Sequence, residues 1–307
     1  MKVVLAGGTG YIGRPLTRAL LKLGHQTTVL TRKTPRQVVQ LPSETTIVRW
    51  DAAPDGGWTR ALADADAVVN LTGVRVAGRP WTRRRRQQII SSRIQTTRAV
   101  LAALSGLSED RRPRTLVNAS GVEFYGDSGD DPVDETANAG RSFLAGVCIG
   151  WERAACKAER LGLRVLRMRT GVVFSDSSPS FRLIALSFRI FAGSPFGAGR
   201  QWVSWVHLDD VVGLYLLALN DSLLAGPVNV VAPEPSRAAD LAAELGRALH
   251  RPTWRPVPIR LLRAMLGEQA DLLLHGQRAV PAVAESRGYL FRHRTLAGAL
   301  AASLGRN

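Results

Sequence analysis

The first residues whose types and spacing could do chemistry stand at positions 7–13. The stretch "GGTGYIG" follows a short β-branched run and opens an amphipathic one, and Gly8-x-Gly10-x-x-Gly13 satisfies the dinucleotide fingerprint. Three needs call for glycine in such a place. A tight turn requires positive φ, the backbone must come close to a pyrophosphate, and the helix must pack hard on its strand. The turn and helix start, from Gly7 and Gly10 through Tyr11, Ile12 and Gly13, then offer unpaired N–H groups and about half a positive charge to the anion. The second strand should select the dinucleotide. An NAD site places an acidic residue at its end to take the ribose 2′-hydroxyl. Here the end reads Thr31-Arg32-Lys33, with Arg36 close behind and no carboxylate in reach. Two charge-assisted bonds from an arginine fork, at about 1.5–3 kcal/mol each, favour a 2′-phosphate by roughly 10²–10⁴-fold. The cofactor expected is NADP(H).

The elements that must position these residues follow from pattern. Strands are expected at 2–6, 26–31, 45–50, 67–73, 114–120 and 163–171, alternating with helices over 11–23, 82–105 and 142–161. Strands apolar on both faces and separated by helices make an α/β protein, a doubly wound parallel-sheet Rossmann fold. Beyond 175 the grammar changes. A loop and a glycine-rich stretch lead to a short strand and helix over 205–220, a strand over 226–233, a helix over 236–249 and a proline-punctuated strand over 251–262. The expected organisation is a cofactor domain over 1–175, to which 205–233 returns, and a smaller C-terminal α/β substrate lobe from 176–204 and 234–307.

Composition narrows the function classes. The chain of 307 residues has no uncharged apolar run near the roughly 20 residues of a membrane span and no secretory h-region, so a cytoplasmic protein without a membrane partner is expected. Cys148 and Cys156, eight apart on one expected helix, are about 12 Å apart and cannot form a disulfide. The five histidines show no metal-ligand spacing, and no metal is expected. The net charge of +16 is nearly all arginine, spread along the chain apart from "TRRRR" at 82–86. Without an RNP stretch, a zinc-finger spacing or a basic region joined to heptads, no specific nucleic-acid partner is expected.

The motifs together resemble the extended short-chain dehydrogenase/reductase superfamily, and within it the atypical, YfcH-like branch labelled nucleotide-sugar epimerases. The likeness rests on "GGTGYIG" (7–13), "NLTG" (70–73), Trp81, "SSRIQTTR" (91–98), "SGVEFYG" (120–126), "WERAA" (151–155), "RTGVVFS" (169–175), "GAGRQWVSWVHLDD" (197–210) and "GQRAVP" (276–281). It implies a Rossmann domain with a small C-terminal lobe, NADP(H), and cofactor contacts from Thr31, Arg32, Leu71, Thr72, Arg93 and Val173. Leu71, Thr72 and Gly73 suit that role independently, because they follow the fourth strand where a dinucleotide crosses the sheet. The resemblance also implies a departure. The superfamily's Tyr-x-x-x-Lys pair falls on Leu144 and Cys148, and neither a leucine nor a thiol can move the proton or fix the charge that pair supplies.

Candidates to replace the pair are few. Ser120, matching the superfamily's serine, could bond a substrate oxygen or simply satisfy backbone at a strand end. Tyr125 could approach the nicotinamide region or pack its loop. Glu123 falls where relatives carry glycine or another small residue, and reads as a catalytic or a solvated carboxylate. His207 with Asp209 is a catalytic pair by type and a strand end with a helix cap by pattern. Arg169, Arg200 and Arg278 could bind an anionic substrate or pair with carboxylates. Two functions stand: an NADP(H)-dependent oxidoreductase or epimerase acting on a small polar, nucleotide-linked substrate through Ser120 and Tyr125, or a non-catalytic NADP(H)-binding sensor or scaffold. A homodimer through the 82–105 and 142–161 helices fits the superfamily, with the arginine run opposing it.

Overall fold

The computed structural model describes residues 1–305 except 35, 36, 39, 53–55, 79, 196 and 255. Arg36, expected beside a 2′-phosphate, lies outside the described residues. In chain order the main elements of the first part are β1 (Lys2–Ala6), α1 (Gly13–Lys22), β2 (Gln26–Thr31), β3 (Thr46–Arg49), β4 (Ala67–Asn70), α2 (Arg83–Ser105), β5 (Thr115–Gly121), the two-residue β6 (Pro132–Val133), α3 (Phe143–Cys156) and β7 (Arg164–Thr170). They are followed by β8 (Val172–Phe174), α4 (Pro179–Arg189), β9 (Trp202–Val203), β10 (Trp205–His207), α5 (Leu208–Asn220), β11 (Gly226–Val230), β12 (Ser236–Arg237), α6 (Ala238–Leu249), α7 (Ile259–Leu266), α8 (Asp271–Leu274), β13 (Arg278–Ala279), α9 (Ala282–Ser286) and α10 (Leu296–Ser303).

Seven strands form one sheet in the order β11-β7-β5-β4-β1-β2-β3, every pair parallel. Burial explains the composition of its centre: all four residues of β4 are buried, so Ala67, Val68 and Val69 are apolar on both faces and the polar Asn70 needs internal partners. One face carries Leu16 and Leu20 of α1 with Val211, Leu214 and Tyr215 of α5. The other carries Val100 and Leu104 of α2, Ala155 of α3 and Trp58. Helices on both faces make this the doubly wound Rossmann arrangement. A third core, built on Phe174 and Trp205 with Phe181, Leu245 and Leu300, joins β8 and β10 to α4, α6 and α10. The Phe174 and Trp205 rings stack at 5.5 Å between centroids.

Two sequence expectations are corrected. Among its described residues the 251–262 segment holds no strand, only a single bridge at Val257: α7 starts at Ile259 directly after Pro258, whose ring fixes a φ suited to a helix entry. The helix expected over 142–161 ends at Cys156 and tightens into a 3₁₀ turn, Lys157–Leu161, closed by Gly162 in the left-handed region at φ 81°. Among the described residues no helix is long and apolar enough to cross a membrane.

Candidate functional site

The sheet order reverses between β1 and β4, so the carboxyl ends of these strands open a crevice, the place where open α/β sheets bind ligands. The glycines of the first turn have separable reasons to be glycine. Gly7 sits at φ 83°, and a Cβ there would meet the Leu71 carbonyl oxygen at 3.0 Å. A Cβ on Gly8 would lie 2.7 Å from a Val29 methyl, and one on Gly13 would lie 2.5 Å from Gly8 Cα. Turn, strand and helix are therefore pressed together. Gly10 is different: its only neighbour within reach is the Gly7 carbonyl at 3.2 Å. The folded chain alone barely needs glycine there, whereas close approach of a phosphate does. Helix α1 opens without a side-chain cap and without an acidic residue in its first turn, which leaves its N-terminal charge for an external anion.

At the end of β2 the Thr31 hydroxyl accepts the Lys33 backbone N–H at 3.2 Å, fixing the turn from which Arg32 and Lys33 reach solvent. Arg32 makes no ion pair with a described residue. On the far side of the crevice Leu71 and Thr72 follow β4. The Thr72 hydroxyl donates to Asn70 Oδ1 at 2.7 Å, and Asn70 Nδ2 donates to Asn118 Oδ1 at 2.7 Å and Thr97 Oγ1 at 2.8 Å. Trp151 Nε1 donates to the same Thr97 hydroxyl at 3.0 Å. This buried polar ladder locks the ends of β4 and β5 to α2 and α3. Sequence reasoning missed it, although "NLTG" carries Asn70 and Thr72, "SSRIQTTR" carries Thr97 and "WERAA" carries Trp151. Val173 is buried in β8.

Arg93 of α2 crosses to Gly73, where a Cβ would meet its guanidinium carbon at 3.1 Å. It donates to the Val74 carbonyl at 3.2 Å and lies 5.2 Å from the Trp151 ring centroid. Beside it stand Tyr11, Glu123 and Cys148, drawn from the first turn, the end of β5 and α3. One Glu123 carboxylate oxygen lies 2.2 Å from where a Gly121 Cβ would be, and Cys148 Sγ lies 3.7 Å from the same point. Gly121 is thus the reason the carboxylate can fold back against the strand end. Burial raises the Glu123 carboxyl above its ordinary value, while its own backbone N–H and Arg93 oppose that rise. Burial also pushes Tyr11 and the Cys148 thiol up to about 12 each, so both are neutral at physiological pH. Leu144 is buried in α3 as well.

The structure engages Ser120 and Tyr125 in a second network, facing inward. Ser120 Oγ donates to Glu152 Oε1 at 2.7 Å. Arg169, only 3% exposed, closes a fork on Glu152 with Nε and Nη2 each 2.9 Å from a carboxylate oxygen. Its Nη1 donates to the Tyr125 hydroxyl at 2.9 Å, and that hydroxyl donates to Asn229 Oδ1 at 2.7 Å. Glu135 accepts the Asn229 backbone N–H at 2.9 Å. Burial pushes the Tyr125 phenol up to about 12 against the opposing pull of Arg169. Of the three arginines nominated for an anion, Arg169 is therefore the buried partner of a carboxylate. Arg278 lies 4.9 Å over the Trp202 ring and donates to the Asp130 carbonyl at 3.4 Å. Arg200 is exposed. His207 caps α5, its Nδ1 accepting the Asp209 N–H at 3.2 Å.

The fold and the crevice define a doubly wound α/β protein with a phosphate-fitting turn at its switch point. The chain belongs to the NAD dependent epimerase/dehydratase family, whose pattern matches residues 3–231, while residues 257–303 match a domain of unknown function, DUF1731. An epimerase family protein of Mycobacterium bovis is 40% identical over 299 residues, 97% of this chain and 96% of that protein. The chloroplastic SDR39U1 homologue of Arabidopsis thaliana is 36% identical, over 98% of this chain and 86% of that protein. Human epimerase family protein SDR39U1, crystallised with NADPH, superposes with a TM-score of 0.87 at 30% identity over 99% of both chains.

Proposed function

We propose that the protein binds NADP(H) in the crevice and serves as an oxidoreductase or epimerase on a small polar, nucleotide-linked substrate. The observation that carries the reading is the end of β2, where Arg32 and Lys33 stand in place of the carboxylate an NAD site needs. Gly10, where a Cβ would meet only the Gly7 carbonyl at 3.2 Å, fits the pyrophosphate. Gly7, Tyr11, Ile12 and Gly13 would hold the phosphates, Thr31 and Arg32 the 2′-phosphate, and Leu71, Thr72, Gly73, Arg93 and Val173 the far half. The human relative crystallised with NADPH supports the same choice. A bound nicotinamide supplies or accepts a hydride.

Reduction of a carbonyl also needs a proton on its oxygen. Ser120 and Tyr125 already donate their protons inward, to Glu152 and Asn229. In this reading they hold the end of β5 in place, and Glu123, the carboxyl beside Tyr11 and Arg93, gives or takes the proton. Leu144 and Cys148, standing where the superfamily keeps its Tyr and Lys, favour the second reading, a non-catalytic sensor or scaffold. The test is loss of reduced-nicotinamide absorbance when NADPH-loaded protein meets a panel of small polar carbonyl compounds and nucleotide sugars. Turnover that falls about 10²-fold or more in Glu123→Gln, with NADPH affinity unchanged, supports catalysis through Glu123. An equal rate in that variant removes Glu123, and tight NADPH binding without turnover points to the sensor.

A further inference from the structure

Residues far apart in sequence converge where β10 meets α5. His207 ends the strand, Asp209 stands in the first helical turn, and His293 arrives from the C-terminal segment. That segment is docked: the buried Asp210 carboxylate accepts the backbone N–H of Arg292 at 2.8 Å and of His293 at 3.0 Å, and the Tyr289 hydroxyl at 3.2 Å. Asp209 Oδ2 lies 3.5 Å from His207 Nδ1 and 3.5 Å from His293 Nε2. One ligand atom from each of the three residues falls within 4.8 Å of the others.

From these positions we infer a divalent-metal site with His207, Asp209 and His293 as its protein ligands. The separations favour an ion over direct bonding. At 3.5 Å the carboxylate is too far from either imidazole for a strong hydrogen bond. Ligand atoms held at about 2.0–2.2 Å from one tetrahedral ion lie about 3.4 Å apart, which the two distances to Asp209 Oδ2 match, while the three atoms together, spread within 4.8 Å, would draw in on an ion. The charges favour it too. In a chain of net charge +16, Asp176, Asp209 and Asp210 all act on His207. The two imidazole rings stand 3.8 Å apart, an arrangement that opposes double protonation. The competitor for Nδ1 is the Asp209 N–H, at a long 3.2 Å. Two imidazoles and one carboxylate suit zinc and its neighbours cobalt and nickel, with the remaining coordination position open to water. No residue of the crevice takes part, so this site stands whether or not the proposed function does.

The test uses the full chain stripped by a chelator and titrated with cobalt(II), read by its visible absorption bands and by calorimetry. We expect one equivalent to bind. Asp209→Asn and His293→Phe should each weaken it at least tenfold while leaving NADPH affinity unchanged. Zinc should raise the melting temperature of the unmodified chain and of neither variant. Absence of cobalt uptake would overturn the site. So would retention of full affinity in either variant, the outcome expected if the ion sat instead at the N-terminal amine and His25, which are 3.2 Å apart.

Discussion

Arg169 and Glu152 show how much one buried pair can decide. Both are nearly inaccessible, and the pair is tolerable only because Ser120, Tyr125 and the Glu135 carbonyl complete its hydrogen bonds. Substituting Glu152→Gln leaves the guanidinium buried with a neutral partner, and a loss of about 3–5 kcal/mol in urea unfolding is expected. A loss under 1 kcal/mol would mean that water reaches the site. Glu123 gives a pH dependence of opposite sense to a salt-bridged carboxylate. Its folded-state pKa is raised by burial, so the associated stability is full below the unfolded value of about 4.3 and is lost as pH rises through the folded value. Unfolding free energies from pH 4 upward should therefore fall, and Glu123→Gln should flatten the curve, with Glu135, raised chiefly by burial too, keeping part of the slope. An unchanged slope in the variant would place the titration elsewhere. Pairing with a carboxylate was one of the two readings open for Arg169, but its partner was not legible, because Glu152 stands 17 positions away on the helix before the strand.

At the scale of elements, the first turn couples fold and ligand in a separable way. Gly13→Ala forces a Cβ to within 2.5 Å of Gly8 Cα, so α1 must move off the strand. Gly10→Ala meets only one contact at 3.2 Å. The expected outcome is a large drop in melting temperature for Gly13→Ala. Gly10→Ala should keep its melting temperature within a few degrees and lose at least tenfold in dinucleotide affinity. Equal stability losses in the two would show that the turn is glycine for folding alone. The strand-to-helix turn was legible because a β-branched run, glycines and an amphipathic stretch each obey a local rule. The 251–262 segment was misread because its prolines and Trp254 suit an extended chain, and the apolar spacing that makes α7 begins only at Ile259.

At the scale of the molecule, the sequence was most informative about the sheet, whose strands are short apolar runs alternating with helices. It was least informative about contacts closed by topology. The Asn70–Asn118–Thr97 ladder joins residues 27 and 48 positions apart. The His207–Asp209–His293 cluster spans 84 positions between its last two members, so histidine spacing could not reveal it. The basic end of β2 is the feature from which the whole functional reading grows, and its direct test is a fluorescence titration with NADPH and NADH of the unmodified chain and of Arg32→Ala. NADPH should bind the unmodified chain at least tenfold more tightly than NADH, and Arg32→Ala should remove about 1.5–3 kcal/mol of NADPH binding while sparing NADH. Equal affinities for the two dinucleotides, or equal losses in the variant, would contradict the 2′-phosphate site and the NADP(H) reading with it.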